Sequence, residues 1–251
     1  MHVFLLLIIG ICIGSFLNVL IDRLPNDENP LTGRSYCDKC KKTLKWYDLI
    51  PVLSFILLRG KCRNCHSPIS CYYPLVEVIT GIMFILVSIF VYGLQTTVYG
   101  SQLSILNFQF STFLYYLFIV CSLIVIFFAD IKYGIIPDSV VYPAVLLSII
   151  FNFQFSIFNF ILSGIGAFLF FLFLFLITRG KGMGFGDVKL AFLMGLFLGF
   201  PRIISALYIA FLTGAVIGLI LIIWRKKKLS GGTIPFGPFL VFGALVSLFF
   251  G

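Results

Sequence analysis

The chain has 251 residues, 61% of them hydrophobic and 11% charged, with 18 lysines and arginines against nine aspartates and glutamates. Soluble domains carry about 25% charged residues, so an ordinary water-exposed globule and a disordered chain are both excluded. What remains is a polytopic membrane protein whose few acids can be placed one at a time.

A spanning helix needs about 20 apolar residues, because each adds about 1.5 Å across a hydrocarbon core about 30 Å thick. Eight runs are predicted to cross: residues 3–21, 74–92, 112–131, 140–155, 160–178, 188–200, 203–224 and 234–250. The run 188–200 is short and is expected to be tilted, half-inserted or extended at its start. Without it the count is seven. The first run has only Met1 and His2 before it and no small-x-small site. It continues into Asp22-Arg23-Leu24-Pro25, so it reads as a retained helix rather than a cleaved signal.

Between the first two runs, residues 22–73 hold nine of the 18 basic residues. Four more lie in 225–228, and Arg179, Lys181, Lys189 and Lys132 complete the set on one face when eight spans are threaded. Only Arg202 falls on the other face. A split of 17 to 1 predicts basic loops in the cytoplasm and both termini outside. The net charge of +9 then reflects topology, and a nucleic-acid patch is disfavoured. The near-repeats 107–113 (NFQFSTF) and 152–158 (NFQFSIF) fall in outer loops and read as drift in Phe-rich sequence.

The first cytoplasmic loop carries Cys37-Asp-Lys-Cys40 and Cys62-Arg-Asn-Cys65, separated by 21 residues. Four thiolates on two tight turns suit tetrahedral Zn²⁺. Two disulfides are the competing reading, and a cytoplasmic loop, where thiols stay reduced, favours the metal. Four sulfur ligands leave no position for a reactive water, so such a zinc is structural. His66, beside Cys65, reads as a surface histidine. Cys12, Cys71 and Cys121 read as small apolar packers.

Asp22, Asp27, Glu28, Asp38 and Asp48 belong to that loop, and Glu77 opens the second run. Only Asp130, Asp138 and Asp187 follow. Asp130 closes an apolar run, and Asp187 opens one just after the glycines at 182, 184 and 186. Both fall at the same membrane face. An acid at a spanning segment is costly and marks a functional site by default. Two carboxylates brought together share a proton, so one works as base and one as acid on a water between them. The glycines are expected to permit close approach and unusual dihedrals. Asp187 alone could be a helix N-cap. Asp138, after Ile136-Pro137, is expected to be one. Asp130 ends a helix, where a negative charge is unfavourable, so capping does not explain it. Other chemistries lack parts: His2 and His66 are the only histidines, and no HExxH or Walker A motif is present.

These motifs, in this order, resemble those of the bacterial type IV prepilin peptidases, which are GxGD-type intramembrane aspartic proteases. Gly14-Ser-Phe-Leu-Asn18-Val and Arg23-Leu-Pro25 are similar to the N-terminal signature, and Cys37–Cys65 to its paired cysteines. Trp46-Tyr-Asp48-Leu-Ile-Pro51, Arg59-Gly-Lys-Cys62 and Pro74-Leu-Val-Glu77 continue the likeness. So do Asp130 through Pro137-Asp138, Gly184-Phe-Gly186-Asp187-Val-Lys189, and Ile234-Pro-Phe-Gly237-Pro238. The resemblance covers nearly the whole chain.

It implies an all-α polytopic fold of about eight spans in the bacterial inner membrane, with a cysteine-rich cytoplasmic part (1–77) and a peptidase part (78–251). It implies cleavage of the short basic leader of prepilins and pseudopilins after a glycine, at the cytoplasmic face. N-methylation of the new terminal residue by S-adenosylmethionine would follow. Asp130 and Asp187 match the catalytic pair, with Gly184, Gly186, Asp138 and Lys189 in support. The methylation site is implied only as far as the N-terminal part, where Gly14 to Pro25 and Glu77 are candidates. Expected partners are prepilin and pseudopilin substrates and membrane lipids. The rival readings are a proton-coupled transporter using Asp130 and Asp187 as a relay, and a non-catalytic assembly scaffold.

Overall fold

The computed structural model describes residues 2–30, 32–37, 39–93, 104–153, 157–180, 182–223 and 235–251. Asp38, Lys181, the basic segment 225–228, Trp224 and Ile234 lie outside the described residues, as does part of the second NFQF stretch. Among the described residues the secondary structure is helical: α1 (His2–Arg23), α2 (Leu53–Leu57), α3 (Tyr72–Gly93), α4 (Ser104–Tyr133), α5 (Asp138–Asn152), α6 (Ile157–Thr178), α7 (Phe185–Leu198), α8 (Arg202–Ile223) and α9 (Gly237–Phe250).

Each of the eight predicted apolar runs falls on one of these helices. Five are long and apolar enough to cross a membrane: α1, α3, α4, α6 and α8. The other three predicted runs fall on shorter apolar helices. Helices α5, α7 and α9 have 15, 14 and 14 residues, about 21–22 Å of helix against about 30 Å of hydrocarbon. The short run at 188–200 does extend at its start, to Phe185. The chain is thus a multi-pass membrane protein that mixes long and short apolar helices.

It divides into two compact units, residues 1–125 and 126–251. In the first, α1 and α3 pack antiparallel with their backbones close. A methyl group added at Gly10 would lie 2.8 Å from the Cα of Gly81, and one at Gly14 would lie 2.7 Å from the Cα of Glu77. Small residues at such a crossing let membrane helices associate where no hydrophobic force drives them. One turn further on, Asn18 Nδ2 donates to the Tyr73 carbonyl at 3.1 Å. Tyr73 OH donates to Asp22 Oδ2 at 2.9 Å.

In the second unit α7 is the core. Leu190, Leu193 and Met194 are fully buried, as expected of a helix that is apolar all round. Asn152 at the end of α5 donates to the Leu196 carbonyl at 2.6 Å. Gly195 has no room for a side chain against the backbone of Gly164 in α6. Helices α8 and α9 meet where Gly243 touches the Ala206 carbonyl, and Ser247 Oγ donates to the Arg202 carbonyl at 2.7 Å. This packing fixes where α7 and α9 begin, and both begin at the candidate site.

Candidate active site

Asp130 lies one turn before the end of α4. The Gly134 N–H donates to its carbonyl at 2.9 Å, and Gly134 has φ +68°, a left-handed helix terminus of the kind glycine favours. The Asp130 side chain is buried, 5% exposed. Among the described residues its Oδ2 has no hydrogen-bond partner. The first residue of α9 covers it: a methyl group on Gly237 would lie 2.5 Å from Oδ2, and the Gly237 N–H hydrogen-bonds to this carboxyl. Pro238 follows, occupying a first-turn position where its missing N–H costs nothing.

Asp187 is the third residue of α7 and 6% exposed. Its Oδ2 accepts from the Gly184 N–H at 3.1 Å, so it reaches back to the residue before the helix and satisfies a donor there. Gly186, next to Asp187, and Gly237, over Asp130, pack on the same residue, Ile136. The structure thus brings together two acids that are 57 positions apart.

The glycines divide in their roles. A methyl group at Gly186 would lie 3.1 Å from Ile136 Cβ, so Gly186 serves close approach. Gly184 is extended (φ −77°, ψ 154°), and a methyl there would meet nothing nearer than Asp187 Oδ2 at 3.8 Å. Unusual dihedrals were expected of Gly182, Gly184 and Gly186. None has the positive φ that only glycine adopts easily.

Asp138 corrects the capping expectation. It is the first residue of α5, and that helix has no side-chain cap. Its two carboxylate oxygens instead accept from Lys189 Nζ at 2.7 and 2.8 Å. The same ammonium stands over the rings of Tyr142 and Phe185, at 5.4 and 5.2 Å. This group ties the start of α5 to the start of α7, two residues beyond Asp187. Gly237 and Ile136 are the site neighbours that residue-type reasoning missed. The sequence signals for Gly237 are a Gly-Pro pair opening an apolar run and its place in the Ile234–Pro238 motif, neither of which tells that it covers Asp130.

The four cysteines form a second centre, in the first unit. All four sulfur atoms lie within 4.8 Å of one another, and Cys37 Sγ is 3.8 Å from Cys65 Sγ. Four sulfurs about 2.3 Å from one zinc stand roughly 3.8 Å apart, so the cluster has the right size. The two knuckles repeat each other. The Lys41 N–H donates to Cys37 O and the Cys37 N–H to Lys42 O. The His66 N–H likewise donates to Cys62 O, and the Cys62 N–H to Ser67 O. Lys41 and His66 both have left-handed backbone, φ 55° and 53°. Ser67 Oγ, 3.1 Å from Cys65 Sγ and 3.8 Å from Cys37 Sγ, is a further neighbour. The Cys40 backbone N–H leads the interactions that hold the Cys37 thiol down at about 6. Against the Lys42 backbone hydrogen bond, desolvation and the sulfurs of Cys37 and Cys65 push Cys40 up to about 11. Crowded thiols share negative charge unequally, and a bound cation removes the conflict. All seven cysteines are free of disulfides.

Comparison with known proteins covers both units. Residues 8–91 match the bacterial peptidase A24 N-terminal domain, and residues 117–219 match the type IV leader peptidase family. Three similar curated proteins are each named prepilin leader peptidase/N-methyltransferase. That of Legionella pneumophila is 32% identical over 282 residues, covering 99% of this chain and 92% of the relative. That of Burkholderia pseudomallei (strain 1026b) is 30% identical, covering 98% of this chain and 84% of the relative. That of Myxococcus xanthus (strain DK1622) is 32% identical, covering 87% of this chain but 62% of the relative, which is a longer protein. No solved structure matches.

Proposed function

Because the chain belongs to the prepilin leader peptidase/N-methyltransferase family, we propose that it hydrolyses the leader peptide bond of prepilins and pseudopilins after a glycine. Asp130 and Asp187 are the catalytic pair. One carboxylate takes a proton from a water while that water attacks the scissile carbonyl, and the other donates a proton to the carbonyl oxygen. Collapse of the tetrahedral intermediate releases the leader carboxylate and a new amino terminus. The observation that carries this reading is two nearly buried acids on separate helices, whose covering residues Gly186 and Gly237 pack on the same Ile136. A methyl group at Gly184 would contact Asp187 Oδ2 at 3.8 Å, so the absence of a side chain there lets substrate backbone approach that oxygen. Gly186 and Gly237 allow the supports to close on the pair, and Lys189 with Asp138 sets how α7 begins.

Residues 1–77 form the cysteine-rich part and 78–251 the peptidase part. Cys37, Cys40, Cys62 and Cys65 hold a structural Zn²⁺, for which their spacing and all-sulfur chemistry are suited. The chain also N-methylates the new terminal residue, with S-adenosylmethionine as methyl donor. The hydrolytic step does not need that donor. The basic loops lie on the cytoplasmic side of the inner membrane, as the 17-to-1 charge split supports. Both termini then lie outside, and the catalytic pair works at the cytoplasmic face. Nothing in the family matches supports the transporter reading.

Purified chain in detergent, incubated with a prepilin and S-adenosylmethionine, is expected to release the leader. The new terminus should gain the mass of one methyl group. An intact prepilin, with substrate-driven proton uptake in liposomes, would instead favour the transporter. A second expectation concerns packing. Gly237→Ala places a methyl 2.5 Å from Asp130 Oδ2, and displacing a catalytic group by about 1 Å costs about 100-fold in rate. Gly166→Ala, with nothing within 4 Å, should leave cleavage unchanged. Equal rates for the two variants would separate Gly237 from the site.

A further inference from the structure

In the first unit an apolar surface faces outward from the most basic loop. Trp46 is 78% exposed, Ile56 63% and Leu57 72%. Leu53, Ile56 and Leu57 stand at i, i+3 and i+4 on α2, so they share one face. Leu49 and Ile50 are exposed just before it, while Phe55 turns the other way and packs on Gly60. The loop does not fold this face into a core.

Its position says what covers it. Val52, the residue before α2, donates its N–H to Glu77 Oε2 at 2.7 Å. Glu77 is in the second turn of α3, a helix long and apolar enough to cross the membrane from Tyr72. Val52 is held there with φ 58°, an unfavourable conformation for a β-branched residue. The tether therefore sets the start of α2 beside the entry of a spanning helix, not out in solvent. Lys45, Arg59 and Lys61 flank the face and are exposed. The only acid from residue 39 to residue 76, Asp48, is neutralised by Arg63 at 2.8 Å. Apolar residues with an exposed tryptophan and a cationic rim suit the boundary between acyl chains and anionic headgroups.

We propose that residues 46–57, with α2 at their centre, form an interfacial membrane element seated in the anionic leaflet that α1 and α3 enter. The inference is independent of the peptidase chemistry. Leu53, Ile56 and Leu57 lie at the acyl boundary, Trp46 at headgroup level, and Lys45, Arg59 and Lys61 against lipid phosphates. Glu77 is the peg that keeps the element at this depth.

The test uses the full chain with Trp224→Phe, so that Trp46 is the sole tryptophan, one copy per nanodisc. The expected result is blue-shifted Trp46 emission, quenched by brominated acyl chains and protected from iodide. Protection should be stronger with phosphatidylglycerol in the disc than with phosphatidylcholine alone. Leu57→Trp with Trp46 and Trp224 replaced by Phe gives a second probe and should be quenched at least as strongly. Red-shifted emission open to iodide and insensitive to bromolipid in both probes would overturn the proposal. Shielding that arises only when a prepilin is added would also overturn it and assign the face to substrate. Leader cleavage measured on the same discs reports separately on the peptidase.

Discussion

Asn at position 130 or at position 187 is expected to lower leader cleavage by about 10³-fold or more, within the range general acid–base groups contribute. The substitution keeps size and hydrogen-bonding capacity but cannot take up or give a proton as a carboxyl does. Asp187→Asn can still accept the Gly184 N–H that Asp187 Oδ2 accepts at 3.1 Å, so the start of α7 survives. Asp130 Oδ2 has no partner among the described residues, and an Asn at 130 can still accept the Gly237 N–H through its amide oxygen. The double variant should be no slower than either single one, because groups that act as a unit fail together. Gly166→Ala, where an added methyl group has nothing within 4 Å, is the control. A variant at 130 or 187 that retains the wild-type rate would remove that residue from the chemistry. Rates are read by mass spectrometry of the released leader, with the unfolding midpoint in detergent as the check on folding.

The second large effect concerns the cysteine cluster. One zinc per chain is expected by metal analysis, and none in Cys62→Ser, which removes the buried thiol of the set. Structural zinc contributes about 10 kcal/mol or more at neutral pH in small domains. The loop has little core of its own, with Cys62 its one buried apolar side chain among the described residues, so metal loss should open it. Limited proteolysis should then cut between residues 24 and 71, where the metal-bound chain resists. Acidification has the same direction, since each ligand must be a thiolate and protonation releases the metal. Full metal content in Cys62→Ser, or a chelated loop that still resists protease, would count against the assignment.

The parts of the fold that depend on local pattern were legible in the sequence. Every apolar run marks a helix, and the two CxxC turns mark a cluster, because hydropathy and short-range spacing act over a few residues. Asp130 and Asp187 stood out because an acid beside an apolar run is costly wherever the chain goes. What depends on distant partners was not legible. Asp138 looked like a cap because the residues beside it suit one. Lys189, 51 positions away, takes its carboxylate instead. Gly237 over Asp130 is a contact across 107 positions, and no periodicity announces it. Helix length is less legible than helix position: α7 runs only from Phe185 to Leu198, bounded by Gly184 and Gly199, although its apolar run reads like the others.

Of the three short helices, α5 is expected to act on the membrane itself. The exposed side of α5, with Tyr142, Leu146 and Ile150, offers lipid a wall of about 22 Å where the bilayer is about 30 Å thick. Such hydrophobic mismatch thins the leaflet locally, at a fraction of a kcal/mol per Å. A substrate helix arriving there loses part of the lipid that held it straight. Water and headgroups meet it earlier than they would in unperturbed bilayer. The protein then contributes to exposing a scissile bond through the shape it gives the surrounding lipid, apart from any contact with the substrate.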